Sequence, residues 1–329
     1  MVKILIVDPL SELGHKNFNT YFLNLFSEKH QVSFFTKEGY LDKATTKYKT
    51  IYFPTSLFNV DIGRFTFRIR QILFIIRVHK YIKREKDYDL ILFTSYETIS
   101  FAIATFFLNI KRICVIEHNN IDQSLLSVIK ECFYRLINKR VYHIVFEKYI
   151  ANFIQSRYSK KTLQISHPFY ESSENPVLQN KIIFSPSSTY DQVTMEKLIS
   201  FCIENEYFLI AKGKESVSSN RMIMKPFFND YYQNIKKSTL VFISNMFTYR
   251  VSGVAFEALA YNCPIVGFRS LFLEELYKQY PSIVFVIDDI NEIKDIKFNP
   301  KDMLVDFQRF KKEHGKPAII EQIRLMMSN

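Results

Sequence analysis

Short apolar runs alternate with longer amphipathic segments along the first half of this chain. The run KILIV at residues 3–7 is apolar almost throughout, as in a strand buried within a parallel sheet. Similar runs predict further strands at HQVSFFT, KTIYFP, DLILFT, RICVIEH and HIVFE, and helical spacing predicts helices over 17–29, 64–86, 98–108 and 123–139. This order of elements predicts a doubly wound α/β sheet that is covered on both faces.

Residues 166–179 interrupt this alternation. They contain two Xaa-Pro pairs, at 167–168 and 175–176, and few apolar side chains, which is typical of a linker between domains. The alternation then resumes, with strands predicted at KIIFSP, YFLIAKG, RMIMKPF, TLVFIS, PIVGF and SIVFVID, helices over 193–205 and 230–237, and one long last helix over about 300–327. We therefore predict a first domain over 1–165, a second domain over 180–302 and a C-terminal helix within 303–329.

The composition places the chain among folded globular proteins. Its 329 residues suffice for two domains with separate cores, and 47% of them are hydrophobic. The formal net charge of +11 lies in residues 1–165, which carry 25 Lys+Arg against 14 Asp+Glu, whereas residues 166–329 carry 19 of each. The basic half predicts an anionic partner, which could be a membrane surface, a lipid-linked diphosphate, an acidic polysaccharide or a nucleic acid.

The predicted helix over 64–86 is both strongly basic and strongly apolar, which is typical of helices that lie on anionic membrane surfaces. A helix that packs on the core and exposes a basic face would have the same composition. No apolar run reaches the roughly 18–20 residues of a membrane span, and the first residues do not resemble a signal peptide. The four cysteines lack metal-ligand spacing and fit a reducing compartment. We expect a cytoplasmic protein that can associate peripherally with the inner face of the plasma membrane.

The segment 239–267 carries the strongest indication of chemistry. A predicted strand, TLVFIS, leads through a polar loop to Ser252 and Gly253, where a helix begins, and Pro264 opens the next strand. A helix that begins in this way presents free backbone N–H groups and the positive end of its dipole, which suits a phosphate group. Glu257, about one turn further along, could accept hydrogen bonds from the hydroxyls of a ribose. A plain helix capped by Ser252 is the alternative interpretation.

This segment resembles the nucleotide-sugar signature of GT-B glycosyltransferases, especially of the GT4-like group of bacterial surface-polysaccharide enzymes. In that signature a loop, a glycine, a helix with a glutamate, small residues and a Cys/Val-Pro-(Ile/Val)-Val strand follow in this order. Glu257 falls on the second glutamate of the group's paired-glutamate motif, and Tyr249 stands where the first glutamate would be. The resemblance implies a GT-B fold, in which two Rossmann-like domains face each other across a cleft and the last helix returns to the first domain.

In the second domain these considerations predict a binding site for a nucleotide sugar. The backbone N–H groups of Ser252, Gly253 and Val254 are expected to bind the diphosphate, and Arg250 to add a charge-assisted contact. Glu257 is expected to bind the ribose. Further candidates are Tyr249 at the sugar, and Lys212, Gly213, Ser187 and Phe227, where the resemblance implies contacts to the phosphates or the base. A solvated loop position for Arg250 and a place in the core for Phe227 are the alternatives.

In the first domain the candidates cluster after predicted strands. His118 ends an apolar strand and resembles the histidine that GT4-like enzymes place beside the donor sugar, although a simple loop histidine would look the same. The catalytic candidates are His118, Glu117 and Arg250, and the candidates for contacts to the acceptor or the sugar are Gly14, His15 and Asn119. If the reaction inverts the anomeric configuration, a general base is needed, for which His118, His15, Glu12 and Glu117 are available.

The sequence therefore predicts a glycosyltransferase that passes a sugar from a nucleoside-diphosphate sugar to a glycan or lipid-linked acceptor in surface-polysaccharide biosynthesis. The resemblance implies catalysis without a metal ion or a cofactor, and retention of the anomeric configuration. A sugar-nucleotide epimerase of the same fold is the first alternative. A nucleic-acid-binding protein is the second, and it is disfavoured because the chain has no recognised binding motif and its second half is neutral.

Overall fold

The computed structural model describes residues 1–10, 16–41, 47–54, 57, 63–85, 88–108, 112–118, 121, 127–169, 181–187, 191–244 and 248–328. These residues form two compact units. The first comprises Met1–Ser166 with Ile319–Asn329, and the second comprises His167–Ala318. Most of the predicted linker, residues 170–179, lies outside the described residues.

The first unit is built on a seven-stranded parallel sheet. Its strands are β1 (Lys3–Val7), β2 (Gln31–Lys37), β3 (Lys49–Phe53), β4 (Leu90–Phe93), β5 (Ile113–Ile116), β6 (Tyr142–Val145) and β7 (Lys161–Gln164). Its helices are α1 (Lys16–Ser27), α2 (Arg64–Glu85), α3 (Thr98–Phe107), α4 (Ser127–Leu136) and α5 (Lys148–Tyr158). The strands lie in the order β3-β2-β1-β4-β5-β6-β7.

The order of these strands reverses between β1 and β4. The chain first moves from β1 outward to β3, and then returns to β4 on the other side of β1. Residues 4–7 of β1 have no exposed surface, as expected for a central strand covered on both faces. In sheets of this kind, ligands bind outside the carboxyl ends of the strands at the reversal.

The second unit repeats this plan. Its strands are β8 (Ile182–Ser185), β9 (Phe208–Lys212), β10 (Val217–Ser219), β11 (Met222–Lys225), β12 (Leu240–Ile243), β13 (Ile265–Phe268) and β14 (Val284–Ile287). Its helices are α6 (Gln192–Glu204), α7 (Tyr231–Lys237), α8 (Gly253–Ala260), α9 (Leu271–Gln279), a 3₁₀ helix (Ile290–Asp295) and α10 (Pro300–His314). The order is β10-β11-β9-β8-β12-β13-β14, and β10 pairs antiparallel with β11.

The second sheet reverses between β8 and β12. Both strands are buried, and the helix that follows β12 is α8, so the start of α8 lies at the carboxyl edge beside this reversal. Next to it, Gly267 of β13 allows a close approach of backbone, because a Cβ atom there would overlap the carbonyl oxygen of Ile243. Two doubly wound sheets are therefore present, and the prediction of the fold class is confirmed.

The C-terminal segment corrects one prediction. The single helix predicted over 300–327 is two helices, α10 and α11 (Lys316–Ser328), which meet at Gly315. Pro317 explains the break, because a proline has no N–H to donate to residue 313 and its ring would clash with that carbonyl. In the first turn of a helix the backbone N–H groups have no intrahelical acceptor, so the missing N–H of Pro317 has no cost there. A separate helix, α11, therefore begins at Lys316.

Several elements were not predicted from the apolar pattern. These are α5, β7, β10, α9 and the 3₁₀ helix. The helix predicted over 123–139 is described only from Ser127, where α4 begins. Within the described residues, every helix is either too short or too polar to cross a bilayer.

Candidate functional site

The first turn of α8 has the features of an anion-binding helix end. Ser252 caps this helix from an extended backbone conformation, with φ −96° and ψ 112°, and its Oγ accepts a hydrogen bond of 3.4 Å from the N–H of Ala255. The N–H groups of Gly253 and Val254 precede any possible intrahelical acceptor, because the helix has only just begun. Two backbone donors and the positive end of the helix dipole thus face outward from the carboxyl edge of the sheet.

Gly253 is not required by the packing around it. A Cβ atom at this position would lie 3.4 Å from Cε1 of His167, which is an ordinary van der Waals contact. The ring of His167 is itself held in place, because it stacks on Phe256 of α8 with centroids 5.0 Å apart and planes 15° apart. The fold therefore tolerates a methyl group at Gly253, and the effect of a glycine here is to leave the end of the helix open.

Glu257 is held by two tyrosines of α7. The hydroxyl of Tyr231 donates to Oε2 across 2.6 Å, and the hydroxyl of Tyr232 donates to Oε1 across 3.3 Å. Burial raises the pKa of the Glu257 carboxyl, and the two tyrosine hydrogen bonds partly oppose this effect. Burial beside the Glu257 carboxylate also raises the pKa of Tyr231 well above its ordinary value, so this hydroxyl remains a donor.

The two tyrosines are themselves fixed by aromatic contacts. The Tyr231 ring lies 5.7 Å from Phe184 of β8, and the Tyr232 ring stacks on Tyr261 with centroids 5.0 Å apart. Neither tyrosine is among the site residues predicted from the sequence. The signal that points to them is indirect: a glutamate among small and apolar helix residues requires hydrogen-bond donors, and such donors can come from any element packed nearby.

The other predicted residues of the second unit follow the carboxyl ends of neighbouring strands. Lys212 ends β9, and the next residue, Gly213, donates its N–H to the carbonyl of Lys225 at the end of β11, across 3.1 Å. Phe227 is 80% exposed and so does not pack in the core, and the Lys212 ammonium lies 6.0 Å from the centre of its ring. Ser187 follows the end of β8, and Tyr249 and Arg250 come shortly before the start of α8. All three residues are partly buried. The topology thus brings these candidates to one edge of the sheet.

Glu117 in the first unit is buried in a polar network. Its Oε1 atom accepts hydrogen bonds from Tyr96 across 2.6 Å and from Tyr134 across 3.0 Å, and Nδ1 of His143 lies 2.6 Å from the same oxygen. Glu117 is 6% exposed and His143 is fully buried. These contacts connect the end of β5 to β6 and α4. The Glu117 carboxylate, which the sequence predicted as a catalytic candidate, is therefore already hydrogen-bonded within the first unit.

His118 follows directly and packs among aromatic rings. Its ring lies 4.5 Å from that of Phe18 in an edge-to-face arrangement and 5.6 Å from that of Phe146, measured between centroids. It is partly buried at the carboxyl end of β5. The remaining candidates of this unit, Gly14, His15 and Asn119, lie outside the described residues, as does Glu12.

Asp8 is a buried carboxylate at the reversal of the first sheet, and it is not among the residues predicted from the sequence. It follows β1 and accepts hydrogen bonds from the hydroxyl of Ser95 after β4, from Asn19 across 2.5 Å and from the N–H of Leu10 across 3.2 Å. These contacts hold the beginning of the segment that follows β1. The signal in the sequence was an aspartate directly after the apolar run at residues 4–7.

Comparison with solved structures identifies the fold. HepE of Anabaena, solved in complex with UDP and glucose, matches with a TM-score of 0.70 at 15% identity over 100% of both chains. Sucrose-phosphate synthase of Thermosynechococcus elongatus matches with a TM-score of 0.71 at 13% identity, over 99% of this chain and 98% of the other. The lipopolysaccharide outer core galactosyltransferase WaaB matches with a TM-score of 0.66 at 13% identity, over 99% and 100%.

These likenesses extend over the full chain, so the protein has the GT-B fold of two Rossmann-like domains. No protein-family model and no curated protein sequence matches the chain. The family resemblance of the segment 239–267 therefore agrees with the fold. The roles of the individual site residues remain predictions.

Proposed function

We propose that this protein is a glycosyltransferase that uses a nucleoside-diphosphate sugar as its donor. One observation carries the proposal: the open N-terminus of α8 and the tyrosine-held carboxylate of Glu257 lie together at the reversal point of a GT-B sheet. A diphosphate needs the first of these features and a ribose needs the second. In an open parallel sheet, this reversal is also where ligands bind.

The donor would be bound and activated by groups on and just before α8. The N–H groups of Gly253 and Val254 would hold the diphosphate, and Arg250, two residues before the helix cap, would add a charge-assisted contact. As the bond to the sugar breaks, negative charge grows on the leaving diphosphate. Preorganised donors that already face this charge lower the barrier, and no metal ion is needed for that purpose.

The base is proposed to be uracil and the sugar a hexose. HepE was solved with UDP, with UDP-glucose and with UDP and glucose, and WaaB is described as a galactosyltransferase. Phe227 is exposed beside the carboxyl ends of β9 and β11, and we propose that it packs against the base. UDP sugars are therefore the first donors to test.

The first unit is proposed to supply the groups around the transferred sugar and the acceptor. His118 would lie beside the sugar, and the buried Glu117 would act as a positioning residue that anchors the end of β5 through Tyr96, Tyr134 and His143. The acceptor is proposed to be a hydroxyl of a glycan or of a lipid-linked oligosaccharide. The family resemblance favours retention of the anomeric configuration.

Nucleotide binding tests the donor site directly. Thermal shift and calorimetric titration with UDP, GDP, ADP, dTDP and CMP should give one strong response, because a ligand at 100 times its dissociation constant stabilises the native state by about 2.7 kcal/mol. Glu257→Ala should abolish this response. Glu274→Ala, which removes a partly exposed glutamate from α9, is the matched control and should keep it.

Turnover tests the reaction. With the donor that binds, Arg250→Ala should lower kcat by about a hundredfold or more, because it removes charge stabilisation of the leaving group. His118→Ala should lower kcat while leaving UDP affinity unchanged. If no nucleotide binds, or if Glu257→Ala binds as tightly as the wild type, the proposed donor site is wrong. If an epimerised nucleotide sugar forms without any acceptor, the protein is an epimerase.

A further inference from the structure

Exposed apolar side chains are concentrated on three adjacent helices of the first unit. Among the described residues, 18 large hydrophobic side chains are exposed, and eight of them belong to α2, α3 and α4. These helices comprise only 42 of the 329 residues. The eight side chains are Phe65, Ile69, Leu73, Phe106, Phe107, Val128, Ile129 and Leu136. We refer to this set, with the exposed basic residues of α2, as the α2–α4 surface.

The outer face of α2 has an apolar half and a basic half. Phe65, Ile69 and Leu73 are four residues apart and therefore form one row along the helix. The same face continues with the exposed residues Arg77, Lys80 and Arg84. Over its whole length α2 has seven Lys or Arg residues and one acidic residue. The buried side of α2, which includes Phe74 and Val78, packs on the core, so the outer row is not required for the fold.

The three helices lie in one layer. They connect β3 to β4, β4 to β5 and β5 to β6, and each of these connections moves across the sheet in the same direction. Right-handed crossovers that move in one direction place their helices on the same face of the sheet. Arg68 of α2 lies 3.4 Å from Glu97, which caps α3, and Ser100 of α3 donates to the Arg68 carbonyl across 3.2 Å. Because the two helices run parallel, these contacts bring Phe106 and Phe107 level with the beginning of the basic half of α2.

The third helix adds its own exposed apolar face. Val128 and Leu136 of α4 lie on the side that faces away from the buried Tyr134, and Ile129 is exposed next to Val128. α3 packs against both α2 and α4, so the apolar side chains of all three helices belong to a common outer layer. A concentration of exposed apolar side chains on one outer layer, flanked by charged residues, is typical of a surface that binds a partner or a membrane.

We propose that the α2–α4 surface binds an anionic lipid bilayer. The apolar side chains would enter the boundary between headgroups and acyl chains, and the basic half of α2 would contact the negative headgroups. Charge complementarity supports this occupant, because the excess of 11 positive charges lies entirely within residues 1–165. A bilayer accepts both kinds of side chain along one row, since apolar chains and anionic headgroups lie within a few ångströms of each other in depth.

Two other occupants fit the residues less well. A second copy of the chain, packed with the same surface, would bring the Arg77, Lys80 and Arg84 rows of both copies together if the two α2 helices were parallel, which is repulsive. If they were antiparallel, the basic half of each α2 would lie on the apolar half of the other, which leaves the charges without an anionic partner. A nucleic acid would neutralise these charges but would leave Ile69, Leu73 and Val128 without a suitable contact, because aliphatic side chains do not bind a phosphate backbone. The first alternative predicts self-association without lipid, and the second predicts retention on DNA or RNA.

Vesicle sedimentation with the full chain tests the proposal and requires no donor sugar, so its result is independent of the proposed transfer reaction. The wild type should sediment with phosphatidylcholine vesicles that contain about 30% phosphatidylglycerol at low ionic strength. It should bind neutral vesicles much more weakly, and an ionic strength of about 0.5 M should reduce binding to the anionic ones. Sedimentation that does not depend on the anionic lipid would overturn the proposal.

Variants divide the surface into its two halves. Replacing Arg77, Lys80 and Arg84 by Gln should weaken binding to anionic vesicles by roughly a hundredfold, because each basic side chain near the surface contributes about a factor of five. Replacing Phe65, Ile69 and Leu73 by Gln should weaken it by about tenfold or more. The matched control carries Lys301→Gln, Leu304→Gln and Val305→Gln on exposed positions of α10 in the second unit, and it should bind like the wild type.

A fluorescence reporter identifies the part of the molecule that enters the lipid. The chain has no tryptophan, so a single introduced one reports its own surroundings. In Phe107→Trp the emission should shift to the blue when anionic vesicles are added, and in the control Leu304→Trp it should not. If both or neither shift, the α2–α4 surface is not the contact. If the wild type is a dimer without lipid and the apolar-row variant is a monomer, the surface binds a second copy instead.

Discussion

The hydroxyl of Tyr231 donates to Oε2 of Glu257 across 2.6 Å and joins the first residue of α7 to the second turn of α8. The two helices flank β12, the strand at which the second sheet reverses. A carboxylate on a helix can adopt several rotamers, and a short hydrogen bond from the partly buried Tyr231 hydroxyl selects one of them. The position of the Glu257 carboxylate, which is proposed to bind the ribose, therefore depends on Tyr231, 26 positions earlier in the chain.

Replacing Tyr231 by Phe should lower the affinity for the nucleotide by about 5- to 30-fold. The variant removes one hydrogen bond to a charged group, which contributes about 1–2 kcal/mol, and leaves the bond from Tyr232 in place. Calorimetric titration measures the affinity, and Tyr277→Phe on α9 is the control. Because the Tyr231 hydrogen bond lowers the pKa of Glu257, the acid limb of the binding profile should also move to higher pH in the variant. An unchanged affinity and an unchanged profile would show that Tyr231 does not position the carboxylate.

Replacing Gly267 or Gly253 by alanine should have different effects, although both lie at the carboxyl edge of the second sheet. The first change should lower stability, and the second should lower nucleotide affinity. In Gly267→Ala the new methyl would overlap the Ile243 carbonyl and lie 2.8 Å from Leu273, so unfolding should become easier by about 1–3 kcal/mol or more. In Gly253→Ala the methyl meets His167 at an ordinary distance, so stability should change little. Nucleotide affinity should nevertheless fall by about tenfold, because the methyl shields the helix end.

Denaturant titration and nucleotide titration of both glycine variants separate the two effects. A Gly253→Ala variant that binds the nucleotide normally would contradict the proposed diphosphate site. A Gly267→Ala variant with normal stability would contradict the close approach of β12 and β13.

Acidification should destabilise the protein through His314. This side chain ends α10, stacks on Phe310 with centroids 4.8 Å apart, and has its Nε2 atom 3.0 Å from the Tyr280 hydroxyl. Burial lowers its pKa to about 4. Between about pH 4 and 6.5 the unfolded chain therefore binds more protons at this position than the native one, so stability rises with pH across this window and falls on acidification.

The expected size of this effect is about 2 kcal/mol between roughly pH 7.5 and 5. Urea unfolding of the wild type and of His314→Gln at several pH values measures it. The wild type should lose this amount relative to the variant, which has no titrating group at the position. Parallel stability curves for the two proteins would mean that His314 does not titrate as the structure indicates.

The apolar runs predicted the strands well because a central strand of a parallel sheet must be apolar on both faces. Residues 4–7 and 240–243 are examples, and both are buried as expected. The last helix was predicted wrongly because helical spacing continues through Gly315, and the break depends on the single proline that follows. The short helix α5 was missed because its buried residues are scattered among exposed ones without a long apolar run. Strand β7 was missed because none of its four residues is buried.

The amino-acid sequence by itself determined the alternation of strands and helices, the cap at Ser252, and the presence of a glutamate on an otherwise apolar helix. Each of these is a local property, which depends on residues within one or two turns. Only the tertiary structure decided that Tyr231 and Tyr232 hold Glu257, and that Glu117 is engaged by Tyr96, Tyr134 and His143. These contacts join elements that are distant in the chain, and packing of complete side chains, which no local pattern encodes, determines which of them meet.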